Sequence, residues 1–323
     1  MQTPSTRPSL EHFPITLFTV VMGLGGLTIA TERVEAFFAL PTYASLVLLV
    51  VTALVWLSIT VTYLLKCVRF PAAVVAEVRH PIRLSFFPAS SIGLMLIATA
   101  VFPYLPAVTQ VLWWISVVAQ LAFTLMVLNF WIHAEHFTTE HNSPAWFIPI
   151  VANLLVPLAG APLGYVEISY FFFAIGIVFW LPLMAISLNR SFFFAPVPAK
   201  LRPTLFILIV PPAIGFSAWT ALHAGVLDDF GRVLYFVGLF MTLMVMSQWK
   251  KFARLPFALT WWAFSFPIAS ISIASFLYYS LVHEVFFAIL ALSFFVVLAV
   301  VVVMLSIRTA ILVIRKGALL PEG

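Results

Sequence analysis

The sequence predicts an all-α integral membrane protein of ten transmembrane helices, and three observations carry that prediction. The first is composition. Of 323 residues, 63% are hydrophobic and only 8% charged, against about 25% charged in a soluble domain. The second is a series of ten apolar runs, at 14–31, 43–65, 84–102, 107–132, 145–163, 167–188, 203–223, 230–248, 256–280 and 284–307. A helix needs about 20 residues to cross the hydrocarbon core, and the fifth run barely reaches that length. The third is the placement of charge. Arg7, Lys66, Arg69, Arg79, Arg83, Arg190, Lys200, Arg202, Lys250, Lys251, Arg254, Arg308, Arg315 and Lys316 all fall in the tails or after even-numbered runs. Only Arg33 and Arg232 fall on the other side.

By the positive-inside rule this asymmetry puts both termini in the cytoplasm. A wrong segment count would scramble the alternation. The chain divides into a tail at 1–13, a ten-helix membrane domain at 14–307 and a tail at 308–323, with the last apolar run continuing to Ile314. The tails leave no room for a separate soluble domain. The first fourteen residues, with Pro4, Pro8 and Pro14, lack the pattern of a cleaved signal. One cysteine, Cys67, excludes an internal disulfide framework. The net charge of +5 reflects membrane boundaries, and no nucleic-acid partner is expected.

Proline orders the segments. Pro14, Pro88, Pro149, Pro212 and Pro267 each lie in, or at the start of, an odd-numbered run, joined there by Pro157 and Pro211. Among the even runs only the sixth has an internal proline, Pro182. Proline removes a backbone donor and crowds the preceding turn. The groups it frees are tolerated in a membrane when buried in protein or facing a wet cavity. The pattern reads as five weak repeats, each a kinked helix followed by a straighter one. Odd helices are expected inside and even helices against lipid.

The ninth run, LPFALTWWAFSFPIASISIASFLYYS, concentrates these features. Phe266 precedes Pro267, and Ala269, Ser270, Ser272, Ala274 and Ser275 follow. Small residues permit close helix packing or leave open space. A bulky ring at a kink beside small residues can plug a pore, or it can be a packed core aromatic. The residues alone leave both readings open.

No Asp, Glu, Lys or Arg falls near the middle of a run. Proton-coupled pumps use intramembrane ionisable groups, and a dicarboxylate site calls for Arg or Lys. The polar atoms on offer are weaker: Thr16, Thr19, Ser90, Ser91, Asn153, Ser217, Ser265 and Ser270. Such a path suits an ion that must bind weakly enough to leave.

Several stretches together resemble a known family. They are Glu77-Val78-Arg79-His80-Pro81 with Ser85-Phe86, Pro144 to Asn153 (PAWFIPIVAN), Arg202 to Trp219 with Pro212-Ala213, and Trp262-Ala263-Phe264-Ser265-Phe266. In this order they resemble the tellurite-resistance TehA and plant slow-anion-channel proteins, of the tellurite-resistance/dicarboxylate transporter group. Pro14, Phe18 and Gly23 fit the first helix of that family loosely. The resemblance implies five helical hairpins with the odd helices ringing a central pore in each protomer, three protomers together, and a phenylalanine, here Phe266, occluding the pore. It makes Phe18, Thr19, Gly23, Ser90, Asn153, Ser265 and Ser270 candidate pore lining. The sequence departs in having proline after Phe266, as in plant members, where TehA-like members tend to have glycine. Pro88 is also displaced relative to bacterial members.

The resulting expectation is a channel for small monovalent anions in a bacterial inner membrane, with no enzymatic activity, cofactor or metal. A carrier for dicarboxylate, sulfite or tellurite-related anions is the alternative. His133, His136 and His141, with Glu135 and Glu140, could bind a metal by residue type, but their spacing matches no H-E-x-x-H helix. His80, beside Pro81, reads as a boundary residue.

Overall fold

The computed structural model describes residues 9–134 and 141–316. Among them, nine helices are long and apolar enough to cross a membrane, and a tenth apolar helix is shorter. In chain order they are α1 (Ile15–Phe37), α2 (Tyr43–Arg69), α3 (Arg83–Val101), α4 (Pro106–His133), the shorter α5 (Pro144–Gly160), α6 (Val166–Phe193), α7 (Ala199–Leu222), α8 (Asp229–Met246) and α9 (Leu259–Val282). The last, α10, is Val285–Lys316. Short helices Pro71–Arg79 and Trp249–Ala253 sit in the connections after α2 and α8.

Each odd helix begins with a 3-10 stretch, and in α3, α5, α7 and α9 the change to α form falls within two residues of the proline. Pro14 caps the 3-10 turn Ile15–Leu17 that opens α1, and Pro88 caps the α part of α3. Pro149 sits in the first α turn of α5, Pro212 in that of α7, and Pro267 is third in that of α9. The first turn has no intrahelical partner for its N–H groups, so proline costs least there. The 3-10 stretch reaches eleven residues in α7, Ala199–Ile209, where runs beyond three or four are uncommon.

This geometry also explains how the fifth run gains length. Its seventeen residues alternate between 3-10 (Pro144–Phe147, Ala152–Leu155) and α (Ile148–Val151, Val156–Gly160). At about 2.0 Å rise per 3-10 residue and 1.5 Å per α residue they extend about 30 Å. That matches the hydrocarbon thickness, which a pure α-helix of this length would miss.

Consecutive helices pair as five hairpins, α1–α2, α3–α4, α5–α6, α7–α8 and α9–α10. The odd helices contact one another in a closed ring, α1–α3–α5–α7–α9–α1. Burial follows: 83%, 83%, 78% and 67% of the apolar windows of α1, α3, α7 and α9 are buried, against 22–33% for the even helices. All of α5 is buried except Trp146 and Leu158, which are half-buried. The even helices expose rows of large apolar side chains, such as Val47, Leu54, Val61 and Leu64 on α2. Such faces call for lipid or another protein surface to cover them.

Glycine sets the closest approach in the ring. A Cβ on Gly26 of α1 would stand 2.6 Å from the Cβ of Ala269 on α9, and one on Gly23 would stand 2.8 Å from the Trp262 ring. The serines of α9 also serve packing. Ser272 donates to the Ala291 carbonyl of α10 (3.1 Å), and Ser275 bonds the Tyr235 hydroxyl of α8 (3.1 Å).

Candidate functional site

A narrow cavity of about 30 Å³ lies inside the ring, and all five odd helices wall it. Thr19 and Met22 come from α1, Phe86 and Ile92 from α3, Ile148 and Leu155 from α5, Ile207 and Val210 from α7, and Phe266 and Pro267 from α9. The two polar side chains in the wall spend their hydrogens elsewhere. Thr19 Oγ1 donates to the Thr16 carbonyl (2.7 Å), and Trp262 Nε1 donates to Thr309 Oγ1 of α10 (2.9 Å). The wall is therefore apolar, and no ionisable side chain enters it.

Phe266 is 4% exposed and belongs to this wall at the point where α9 changes from 3-10 to α. Its Cδ2 lies 3.4 Å from where a Gly26 Cβ would stand, so the ring is backed by bare α1 backbone. It is the eighth residue of α9, about 15 Å into a helix about 39 Å long by the rises given above. Phe264, two residues earlier, packs outside the cavity against Phe206 (4.7 Å), Trp261 (5.5 Å) and Phe252 (5.8 Å).

The other candidate lining residues separate into distinct environments. Thr19 is in the wall. Phe18 packs edge-on against Tyr63 of α2 at 6.2 Å. Gly23 and Ser265 meet at the α1–α9 contact, where Ser265 Oγ donates to the Trp262 carbonyl (2.6 Å). Ser270 Oγ donates to the Pro267 carbonyl (2.7 Å). Ser90 Oγ donates to the Phe87 carbonyl (2.8 Å), while its own carbonyl accepts from Trp56 Nε1 of α2 (3.0 Å). Asn153, fully buried, bonds the Pro149 and Ile150 carbonyls and Thr124 Oγ1 of α4. Gln120 of α4 donates to the Pro149 carbonyl as well (3.0 Å) and accepts from Ser91 of α3 (2.7 Å). Backbone groups freed around Pro149 are thus satisfied by side chains, as a membrane interior demands.

The starts of α1, α3 and α5 hold unpaired polar atoms. Ser85 Oγ, Ser143 Oγ and Asn142 Nδ2 are buried and have no hydrogen-bond partner among the described residues, and Thr16 Oγ1 is likewise unpaired. The starts of α1 and α3 adjoin, as do those of α3 and α5. Buried polar groups are ordinarily paired, so these are donors left open at the start of the ring.

One constellation was not read from the sequence. Lys66 Nζ lies 3.0 Å from Glu77 Oε2 and donates to the Phe13 carbonyl (2.8 Å). Tyr63 OH donates to the same carboxylate oxygen (2.7 Å). Lys66 and Glu77 are 1% and 4% exposed. The network ties the entry to α1 to the end of α2 and the following short helix. A lysine three residues from a helix end reads as a topology charge, and only the approach of Phe13 and Glu77 makes it a buried clamp. Nearby, His80 Nδ1 accepts from the Ile82 and Arg83 amides (3.2 and 3.3 Å) and so caps the start of α3. Burial, then the Arg83 and His141 charges, hold the His80 pKa below its ordinary value. His133 Nδ1 pairs with the Asn129 carbonyl (2.9 Å); Glu135, His136 and Glu140 lie outside the described residues.

Fold and site together define a multi-pass helical membrane protein with an apolar path enclosed by five proline-marked helices. The chain belongs to the family described as SLAC1, voltage-dependent anion channel, whose profile matches residues 12–310. It is 30% identical over 283 residues to the S-type anion channel SLAH2 of Arabidopsis thaliana, covering 84% of this chain and 54% of the relative. It is 25% identical to the guard cell S-type anion channel SLAC1 of the same plant, covering 84% of this chain and 50% of the relative. It is 28% identical to the tellurite resistance protein TehA homolog of Haemophilus influenzae, covering 80% of this chain and 79% of the relative. The chain therefore spans about half the length of the plant relatives it matches.

Proposed function

We propose that this chain is an anion channel, not an enzyme, that passes small monovalent anions through a pore in each protomer, with Phe266 occluding the pore at rest. The observation that carries the reading is the axial cavity: five helices contribute to it, and its wall has no charge and no free polar hydrogen. An apolar constriction excludes a hydrated ion by dewetting. Phe266 supplies bulk to that constriction on a backbone restricted by Pro267. Anions are favoured over cations by two features of the approach. The ends of the ring at the odd-helix starts carry most of the basic residues, whose field concentrates anions and is screened by salt. The unpaired Ser85, Ser143 and Asn142 groups offer hydrogen donors, and no carboxylate stands in the wall. The relatives named as anion channels support the same reading.

The protein works as a ten-span homotrimer in a bacterial inner membrane with both termini cytoplasmic, the assembly and sidedness following from the family resemblance and the charge asymmetry. Planar-bilayer recording with ion substitution tests the function. A reversal potential that tracks the chloride or nitrate gradient is expected; one that tracks sodium or potassium refutes it. Accumulation of an anion against its gradient in vesicles would establish a carrier instead. Native mass spectrometry in mild detergent tests the trimer, and mainly monomer or dimer would refute that part.

A further inference from the structure

Away from the axis, an open cleft of about 530 Å³ lies between the start of α7 and the connection from α8 to α9. Arg202, Lys250, Lys251 and Arg254 line it, against Leu255 and Pro256. It shares no lining residue with the axial cavity. Arg202 donates its Nε–H to the Val197 carbonyl (3.2 Å), which holds the guanidinium at the wall. Four cations in one cleft repel one another unless an anion joins them. The elements that build the cleft supply none: the sequence has no Asp or Glu at 168–227 or at 230–283. Both ion pairs among the described residues use Glu77 and none of these four.

The surroundings place the cleft at a bilayer edge. Trp249, beside Lys250, is 62% exposed, and its ring lies 6.0 Å from Lys250 Nζ. Phe192, Phe193 and Phe194 stand exposed at the end of α6, on the same basic side of the bundle. A tryptophan such as Trp249 sits at the headgroup level, and basic pockets between membrane helices take anionic headgroups. Leu255 and Pro256 give an apolar wall to acyl-chain carbons, while Arg and Lys pair with phosphate oxygens.

We propose that this cleft is a binding site for the phosphate-bearing headgroup of an anionic phospholipid. The proposal needs only a membrane-embedded chain and is independent of what passes along the axis. Native mass spectrometry of the full chain, with phosphatidylglycerol or phosphatidylcholine titrated into detergent, tests it. The parent should retain phosphatidylglycerol at least about tenfold better than phosphatidylcholine. The variant Lys250→Gln/Lys251→Gln/Arg254→Gln should lose most of that preference while remaining monodisperse with parental helicity, because all three side chains are exposed. Lys251→Glu alone is a second variant, should the triple fail to fold, and should weaken retention severalfold. Inorganic phosphate at matched concentration should not displace the lipid. Equal retention of the two lipids, parental retention by the folded variants, or equal competition by inorganic phosphate would each overturn the proposal, the last in favour of a soluble-anion site.

Discussion

Truncating Phe266 separates a gate from a core aromatic. The ring borders a narrow cavity of about 30 Å³ on one side and the bare backbone at Gly26 on the other. A phenylalanine packed on all sides costs about 3–5 kcal/mol when cut to alanine. Here one face already lacks partner atoms and forfeits those contacts in the parent, so Phe266→Ala should cost less than that range and leave the protein folded. Its effect on conduction should be larger. If the ring supplies the main barrier, removing even 1.4 kcal/mol of that barrier raises the rate about tenfold. Resting chloride conductance in planar bilayers, normalised to inserted protein, should therefore rise at least about tenfold. The control needs care. Phe264 sits in a cluster with Phe206, Trp261 and Phe252, so Phe264→Ala would destabilise the start of α9; Phe264→Leu is the better comparison and should leave conductance near parental. Well-folded Phe266→Ala protein that conducts no more than the parent would refute the gate.

Gly26→Ala should be destabilising by about 1–3 kcal/mol through overpacking against Ala269, whereas Gly215→Ala, whose Cβ would meet its neighbours at 3.6–3.8 Å, should be close to neutral; thermal unfolding in detergent distinguishes them. Lys66→Met leaves the Glu77 carboxylate buried without its lysine and should cost about 3–5 kcal/mol, with much of the loss recovered in the double variant Lys66→Met/Glu77→Leu; no recovery would refute the clamp. His80 accepts two amide hydrogens at Nδ1 as the neutral ring, and its folded pKa lies below the ordinary value of 6.5. The unfolded chain then binds the proton more readily, so stability should fall as pH drops below about 6.5, toward the lower folded pKa. His80→Gln should flatten that part of the stability–pH profile.

Sequence by itself determined the class, the alternation of helices and the place of the prolines. Those properties are local. Hydrophobic run length fixes which segments prefer lipid, the charge at each boundary fixes the order of the loops, and proline deletes its donor wherever it stands. Odd helices inside and even helices outside followed from that, and the burial of α1 against α2 bears it out. The tertiary structure decided what the freed backbone groups do. The odd helices take 3-10 turns near their prolines, a compromise that lengthens α5 to the bilayer thickness. It also decided which polar residues face the cavity. Thr19 does; Ser90, Asn153, Ser265 and Ser270 hydrogen-bond carbonyls of their own helices. Residue type could not separate these, because a serine on a pore wall and one bonded to its own helix look alike in sequence. The Lys66–Glu77–Phe13 clamp and the four-cation cleft join residues distant in the chain, and distances across a bundle are set by packing that no single segment encodes.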